Sequence, residues 1–380
     1  MKFPKSLQNK LNSRQQNNSL RELTAPNCLI DFSSNDYLGF AKSETLFDQT
    51  HQFLIDHKIK INGATGSRLL SGNHVLYQQT ELLIATFHQS EAALIFNSGY
   101  DANLGFFNSV PQRNDIILYD ELVHASIRDG LMMSKAKSYK YEHNNFEHLE
   151  QLIKKFKSEI YDLYIVTESV FSMDGDTPNL NELTLLSTNY NCHLVIDEAH
   201  ALGVFGNKGE GMVQQLHLQN EVFARIITFG KGLGCHGAAI VGSNDLKNYL
   251  INFARSFIYT TALSPHSVAS IYMAYQELEK QPKNLAQLRN NINFFNQQKQ
   301  LLSLKQVFIR SKSAIQSAIF SGNNQVKNIA LEFQKSGFDV KPILSPTVPE
   351  GQERLRFCLH NYNTEEEIFD ALQFLCTFVF

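Results

Sequence analysis

Short apolar runs recur along the middle of the chain, and each is bounded by Gly, Asp, Asn or Ser. The runs span 92–96, 115–119, 163–167, 193–196, 225–229 and 238–241. They are rich in Ile, Val or Leu, which is typical of strands buried on both faces of a mainly parallel sheet. Amphipathic stretches at 146–157 and 180–190 predict crossover helices between such strands. The pattern therefore predicts an α/β fold.

The pattern changes after Pro265, where a long helical stretch precedes shorter strand-like pieces at 315–320 and 355–359. We interpret this part as a smaller α+β domain. The opening segment is polar, with a helix-like stretch at 4–14. A length of 380 residues favours two domains. The expected division is an N-terminal segment 1–45, a large domain 46–265 and a small C-terminal domain 266–380.

Composition narrows the class of protein. A formal net charge of -3 argues against nucleic-acid binding, which requires a basic excess. No stretch is apolar for long enough to span a membrane, and the N-terminus lacks the apolar core of a secretory signal, so a cytoplasmic location is expected. The cysteines are scattered without a C-x-x-C pair and indicate neither a disulfide framework nor a zinc site; they are Cys28, Cys192, Cys235, Cys358 and Cys376.

Polar residues that follow the predicted strands are candidate site residues, because ligands of open α/β sheets bind beyond the carboxyl ends of the strands. A glycine turn that opens a helix, at 97–103, can bind a phosphate. The carboxylate of Asp197 requires a cation or strong donors at the end of a buried strand. That partner can be the ring nitrogen of a pyridine cofactor or Mg²⁺, and a helix N-cap is a further interpretation. These motifs alone do not decide among the three.

Lys231 follows another predicted strand and is surrounded by Gly230, Gly232 and Gly234. A crowded lysine has its pKa lowered, as a Schiff-base lysine requires, and small neighbours admit a flat cofactor. The order of a P-loop is absent, since a glycine follows the lysine. His124 also follows a predicted strand and can stack on a planar cofactor.

Ordered sequence blocks along nearly the whole chain are similar to those of one enzyme family. They are FSSNDYLG at 32–39, GSR at 66–68, FNSGY at 96–100, DELVHAS at 120–126, TESVFSMDGD at 167–176, DEAH at 197–200, TFGK at 228–231 and PTVP at 346–349. With these blocks the chain resembles the α-oxoamine synthases, which are fold-type I pyridoxal-phosphate transferases. Members join an amino acid to an acyl thioester with loss of CO2. The resemblance implies a large domain with a mainly parallel sheet between helices, and a smaller C-terminal domain.

Within the family, the chain is most similar to members that condense L-alanine with a pimeloyl thioester in biotin biosynthesis. The thioester is carried by coenzyme A or by a carrier protein, and the sequence leaves both open. Related members use glycine or serine, as in glycine C-acetyltransferase and serine palmitoyltransferase. An aminotransferase of the same fold and a non-catalytic paralogue that acts as a binding subunit are further alternatives. Intact Lys231, Asp197, His124 and His200 argue against the paralogue.

The resemblance also implies roles for individual residues. Lys231 forms the Schiff base and then acts as the base at Cα, Asp197 pairs with the pyridinium nitrogen, and His124 stacks on the ring. The other implied cofactor contacts are Gly99, Tyr100, Ser172, His200 and Thr228, and the implied substrate contacts are Arg21, His124, Thr347 and Arg356. His200 is also expected to be catalytic, by a hydrogen bond to the oxyanion that develops on the thioester carbonyl. A homodimer is implied, in which Thr260 or Thr261 reaches the partner's site.

Overall fold

The computed structural model describes residues 3–23, 28–158 and 160–380. The chain divides into a small unit, Met1–Ser34 with Met173–Asp176 and Gln287–Phe380, and a large unit, Asn35–Ser172 with Thr177–Ala286. The strands are β1 (Ile30–Asp31), β2 (Ala92–Phe96), β3 (Ile116–Asp120), β4 (Lys137–Tyr141), β5 (Leu163–Glu168), β6 (His193–Asp197), β7 (Ala224–Thr228), β8 (Ala238–Gly242), β9 (Ile315–Ile319), β10 (Phe338–Asp339), β11 (Lys341–Ile343) and β12 (Arg354–Cys358).

Helices connect most of these strands. They are α1 (Lys5–Gln16), α2 (Glu44–Asp56), α3 (Val75–Phe87), α4 (Gly99–Ser109), α5 (Ala125–Met133), α6 (Phe146–Phe156), α7 (Leu180–Tyr190), α8 (Met212–Gln215), α9 (Asn244–Phe253), α10 (Arg255–Ile258), α11 (Pro265–Lys280), α12 (Pro282–Leu301), α13 (Asn323–Lys335) and α14 (Glu365–Cys376). Within the described ranges, no helix combines the length and the apolar character needed to cross a membrane.

The large unit is built on a seven-stranded sheet in the order β2-β8-β7-β6-β5-β3-β4. Strands β4, β3, β5, β6 and β7 are parallel neighbours, and β8 runs antiparallel between β7 and β2. This architecture confirms the predicted fold class, and each predicted run coincides with a strand to within one or two residues. Strand β4 was not predicted, because its sequence KSYKY is mostly polar at the edge of the sheet.

Two hydrophobic clusters bury the opposite faces of this sheet. Ile117 and Val195 belong to one cluster with residues of α4, α5 and α9. The next residues along the same strands, Leu118 and Ile196, belong to the other cluster with residues of α6 and α7. Successive side chains of a strand point to opposite faces, so each strand must be apolar throughout. The continuous Ile, Val and Leu runs of the sequence have this physical cause.

The small unit contains an antiparallel sheet in the order β11-β12-β9, and β1 pairs with β10 in parallel. A phenylalanine cluster forms part of its core, in which the ring of Phe357 lies 5.7 to 6.2 Å from those of Phe333 and Phe32. Helix α14 begins with a capping box between Thr364 and Glu367, an arrangement that satisfies two backbone donors. The N-terminal residues thus contribute a strand to the same unit as the C-terminal ones.

A buried lysine in the small unit gives a pH-dependent contribution to stability. Lys299 is 5% exposed, and its Nζ donates to Gln316 Oε1 at 2.6 Å. Burial lowers the pKa of Lys299 from 10.5 to about 8. The unfolded state therefore binds more protons than the folded state between these two pH values, so this lysine makes stability rise as the pH rises.

We predict that the free energy of unfolding of the wild type, relative to Lys299→Met, increases by about 3 kcal/mol from pH 8 to 10.5. The lysine destabilises the folded state fully below pH 8 and no longer does so above 10.5. Urea unfolding of both proteins at a series of pH values measures the difference. A difference that does not change with pH would show that Lys299 titrates normally.

Candidate functional site

A cleft of about 280 Å³ lies at the carboxyl ends of the strands of the large unit. It brings together six of the predicted site residues, which are Gly99, Tyr100, His124, Asp197, Thr228 and Lys231. These residues come from four different strand-to-helix or strand-to-loop connections. The cleft therefore has the position that the sheet topology predicts for a ligand site.

Asp197 ends β6 and is held by two donors. Its Oδ1 accepts from the backbone N–H of Ala199 at 2.9 Å, and its Oδ2 accepts from Nδ2 of Asn103 at 3.0 Å. The same Asn103 nitrogen donates to Ser126 Oγ at 3.0 Å. Asp197 is only 5% exposed, so its two hydrogen bonds fix the position of this carboxyl group in the wall of the cleft.

His124 is the N-cap of α5, and this role orients its ring. Its Nδ1 accepts from the backbone N–H of Ser126 at 3.2 Å, so the ring proton of the neutral form lies on Nε2. The ring is exposed to the open cleft, but the surrounding protein lowers its pKa by desolvation; Lys231 lowers the pKa further, and Asp197 opposes the shift. His124 is thus a neutral, oriented aromatic ring in the cleft.

A second acid, Glu168, lies beside Asp197, because the two residues are register partners on β5 and β6. Its Oε1 accepts from the backbone N–H of His124 at 2.5 Å. Burial, followed by the charge of Asp197, raises the pKa of Glu168 to about 8. The cleft thus combines the carboxyl group of Asp197 with a Glu168 that is mainly protonated at neutral pH.

Lys231 follows β7 by three residues, and its Nζ lies 2.8 Å from Nε2 of His200. Gly230 lines the cleft beside it, as expected. The other two positions require glycine for a different reason. A Cβ at Gly232 would lie 2.3 Å from Leu202 O, and a Cβ at Gly234 would lie 2.2 Å from Ala41 N. Close packing against backbone, rather than room for a ligand, requires glycine at those two positions.

The N-terminus of α4 forms another wall of the cleft. Ser98 caps the helix by accepting from the N–H of Asp101 at 3.0 Å. A Cβ at Gly99 would lie 2.5 Å from Cγ2 of Thr228, so no larger residue fits against the end of β7 without displacing the threonine. The first N–H groups of a helix have no partner within the helix and favour an anion.

The remaining predicted residues have other surroundings. Ser172 is half-buried and does not line the cleft. Thr260 and Thr261, which were predicted to reach the partner's site, both accept hydrogen bonds from Nδ2 of Asn97, at 3.0 Å on Thr260 Oγ1 and at 2.7 Å on Thr261 O. Arg21, Thr347 and Arg356 belong to the small unit.

Within the small unit, Arg21 Nη2 donates to Thr347 Oγ1 at 3.4 Å, so two of the predicted substrate contacts are neighbours. Arg354 and Arg356 are two residues apart on β12 and share a face. Arg354 forms an ion pair with Asp174 and donates to Gln352 O at 2.9 Å.

Several residues of the cleft were not predicted, among them Asn35, Asn103, Ser126 and Glu168. Glu168 is the last residue of β5, so the search of strand ends that identified Asp197 would also have found it. Asn103 lies four residues after Gly99 on α4, which places both on one face of the helix.

We predict that Asn103→Ala lowers the free energy of unfolding of the cofactor-free protein by about 2 kcal/mol, because the buried Asp197 carboxylate loses a hydrogen-bond donor. Urea unfolding measures the change. The matched control is Asn108→Ala on the same helix, whose amide is exposed and donates to Met133 O at 3.0 Å. Equal losses in the two variants would contradict the importance of the Asn103 contact.

Comparisons with known proteins show which family the chain belongs to. The family "Aminotransferase class I and II" matches residues 28–375. The chain is 37% identical over 401 residues to 8-amino-7-oxononanoate synthase of Emericella nidulans, covering 98% of this chain and 95% of the relative. It is 38% identical over 351 residues to the enzyme of the same name from Haemophilus ducreyi, covering 90% and 89% of the two chains.

Solved structures of related proteins share the fold of this chain. The crystal structure of 8-amino-7-oxononanoate synthase from Francisella tularensis is 30% identical, with a TM-score of 0.78 and coverage of 93% of this chain and 98% of that one. A serine palmitoyltransferase with its PLP internal aldimine has a TM-score of 0.86 at 23% identity, covering 92% and 87% of the chains, and shows the fold alone. From the matched sequence and the shared fold, the chain belongs to the class I and II aminotransferase family.

Proposed function

We propose that the chain catalyses the decarboxylative condensation of L-alanine with a pimeloyl thioester, with pyridoxal phosphate as the cofactor. The products are 8-amino-7-oxononanoate, CO2 and a free thiol, and the reaction belongs to biotin biosynthesis. The observation that carries the proposal is one cleft that contains Lys231, Asp197 and His124. That cleft occurs in a chain 37% identical over 98% of its length to an 8-amino-7-oxononanoate synthase.

The residues of the cleft fit pyridoxal phosphate. Lys231 supplies a primary amine for an aldehyde, and the buried carboxylate of Asp197 supplies a counter-ion for a protonated pyridine nitrogen. The N-terminus of α4, with Gly99 and Tyr100, supplies backbone donors for a phosphate, and the Thr228 hydroxyl is a further donor. The ring of His124 supplies an aromatic face.

The chemistry requires a proton and a carboxylate to leave the same carbon of L-alanine. Bound pyridoxal phosphate withdraws electrons from that Cα, which makes both departures accessible. The amine of Lys231 takes the Cα proton. Asp197, held by Asn103 and Ala199, keeps a proton on the pyridine nitrogen. His200, whose Nε2 lies 2.8 Å from Nζ of the lysine, holds the position of that amine, and we place His200 and Ser172 near the phenolic oxygen of the cofactor.

The bonds that change follow from the products. A bond forms between Cα of L-alanine and the thioester carbonyl carbon, and the carbon–sulfur bond breaks to release the thiol. The bond between Cα and the carboxylate then breaks to release CO2. We assign the binding of the amino-acid carboxylate to Arg356, whose guanidinium suits a bidentate pair, and further substrate contacts to Arg21, Thr347 and His124.

We also propose that the enzyme acts as a homodimer in which Thr260 or Thr261 contributes to the partner's site. Both residues lie beside Asn97, whose side-chain amide donates to Thr260 Oγ1 and to Thr261 O. Sedimentation equilibrium should give twice the mass of 43.2 kDa. A single-chain mass at micromolar concentration would contradict the dimer.

The release of free thiol shows which amino acid and which acyl donor the enzyme uses. The purified, cofactor-loaded protein is given L-alanine, glycine or L-serine, each with pimeloyl-CoA, the pimeloyl carrier protein, acetyl-CoA or palmitoyl-CoA. We expect thiol release with L-alanine and a pimeloyl donor only. Release with L-serine and palmitoyl-CoA, or with glycine and acetyl-CoA, would retain the family and overturn the assigned substrates.

A further inference from the structure

A tyrosine outside the cleft lining is connected to Lys231 through a histidine. The hydroxyl oxygen of Tyr37 lies 2.6 Å from Nδ1 of His200, and Nε2 of the same ring lies 2.8 Å from Nζ of Lys231. We propose that Tyr37 is a positioning residue that fixes the tautomer of His200 and, through it, the direction of the hydrogen bond to Lys231. The inference deepens the proposed function and rests on the role of Lys231 given there.

The burial of the two side chains makes the connection specific. Tyr37 is 0% exposed and His200 is 4% exposed, so bulk water has little access to the bond between them. The three residues come from separate parts of the large unit: Tyr37 precedes α2, His200 follows β6 and Lys231 follows β7. Folding therefore places one hydroxyl, one imidazole and one amine in a row, each within hydrogen-bond distance of the next.

An imidazole between two such groups allows two proton orders. When Lys231 is an ammonium group it can only donate, so Nε2 accepts and the ring proton lies on Nδ1, from which it is donated to the Tyr37 oxygen. When Lys231 is a neutral amine it can accept from Nε2–H, and Nδ1 then accepts from the Tyr37 hydroxyl. The tautomer of His200 is thus tied to the protonation of the lysine.

Asn35 favours the first of these orders. The Tyr37 hydroxyl donates to Oδ1 of Asn35 at 3.3 Å. A hydroxyl has one proton, so a tyrosine that donates to Asn35 must accept from Nδ1–H of His200. In the protein without cofactor, the row of donors then runs from Lys231 through His200 and Tyr37 to Asn35, with every bond in the same direction.

Tyr37→Phe removes the acceptor for Nδ1–H and leaves a buried donor without that oxygen. The Nδ1–H tautomer loses its advantage, and we expect the ratio of the Nδ1–H to the Nε2–H form to fall about tenfold. The Nε2–H form directs a proton at Lys231 rather than accepting one. In the loaded enzyme, Lys231 must both take up and give back a proton, and the Tyr37 hydroxyl accepts from His200 in one proton order and donates to it in the other. Without this hydroxyl neither order is supported, so kcat should fall, while KM for L-alanine stays unchanged because no substrate contact is altered.

The tautomer is measured by ¹⁵N NMR of histidine-labelled, cofactor-free protein at neutral pH, with the His200 signals assigned among the 13 histidines through a His200→Gln variant. The matched control is Tyr275→Phe. Tyr275 is also fully buried, and its hydroxyl lies 2.9 Å from Nε2 of another buried histidine, His88. Thermal unfolding of both variants shows whether each one folds.

The expected result is a protonated Nδ1 on His200 in the wild type and in Tyr275→Phe. In Tyr37→Phe the ratio of the Nδ1–H to the Nε2–H form should be lower. A protonated Nε2 in the wild type, or the same ratio in Tyr37→Phe as in the wild type, would overturn the proposal. If Tyr37→Phe does not fold, Tyr37→Met at the same buried position provides the same test without a hydroxyl. Since the NMR needs no substrate, failure of the thiol-release experiment does not affect its outcome.

Discussion

Lys231→Ala is expected to reduce kcat for thiol release by at least about a thousandfold, because one amine serves both as the covalent attachment and as the base at Cα. The variant should bind pyridoxal phosphate without the visible absorbance of an imine. The measurement combines steady-state thiol release with absorbance spectra of the loaded protein.

Two further variants distinguish the loss of the reactive amine from the loss of a positive charge. Lys231→Arg keeps a positive charge beside His200 but has no accessible neutral amine, so it should be as inactive as the alanine variant. Lys208→Ala is the matched control, because this lysine is exposed and pairs with Glu279 at 3.2 Å. Comparable loss in Lys208→Ala, or substantial activity in Lys231→Arg, would show that Lys231 does not have the assigned role.

Asp197→Asn is expected to reduce kcat by about a hundredfold to a thousandfold, the usual effect of removing one fixed electrostatic partner of a reacting group. The substitution keeps the size of the side chain and retains an oxygen that can accept from the N–H of Ala199. It replaces the other oxygen by a donor that faces Nδ2 of Asn103. The cofactor should also bind more weakly, which fluorescence titration measures.

The control for this prediction is Asp162→Asn, in which an exposed carboxylate that lies 3.0 Å from His193 loses its charge. Its kcat should equal that of the wild type. An Asp197→Asn enzyme that retains kcat within threefold would show that the negative charge is not needed at the pyridine nitrogen.

Much of the large unit could be predicted from its sequence because its strands are buried on both faces. The run Ala92–Phe96 coincides with β2, and the amphipathic stretch Leu180–Tyr190 coincides with α7. The polar edge strand β4 has no such signal. The pairing of Ile30 with Phe338 could not be predicted either, since a two-residue strand has no periodicity and its partner is far away in the chain.

The site could be predicted in part, because its residues follow strands and the ends of parallel strands converge. Lys231, Asp197 and His124 all lie in the cleft. The contact between Tyr37 and His200 joins residues 163 positions apart, and only the folded chain shows it. Likewise, the glycine at position 234 suggested room for a ligand, whereas the backbone of Ala41 explains it.

Loss of labelled CO2 tests the proposed reaction most directly. The loaded enzyme is given L-alanine labelled with ¹³C in its carboxyl group together with pimeloyl-CoA, and ¹³CO2, free thiol and the mass of the product are measured together. We predict one ¹³CO2 for each thiol and an unlabelled amino ketone. Thiol release without ¹³CO2, or conversion of L-alanine to labelled pyruvate without thiol release, would contradict decarboxylative condensation, and the second result would indicate an aminotransferase.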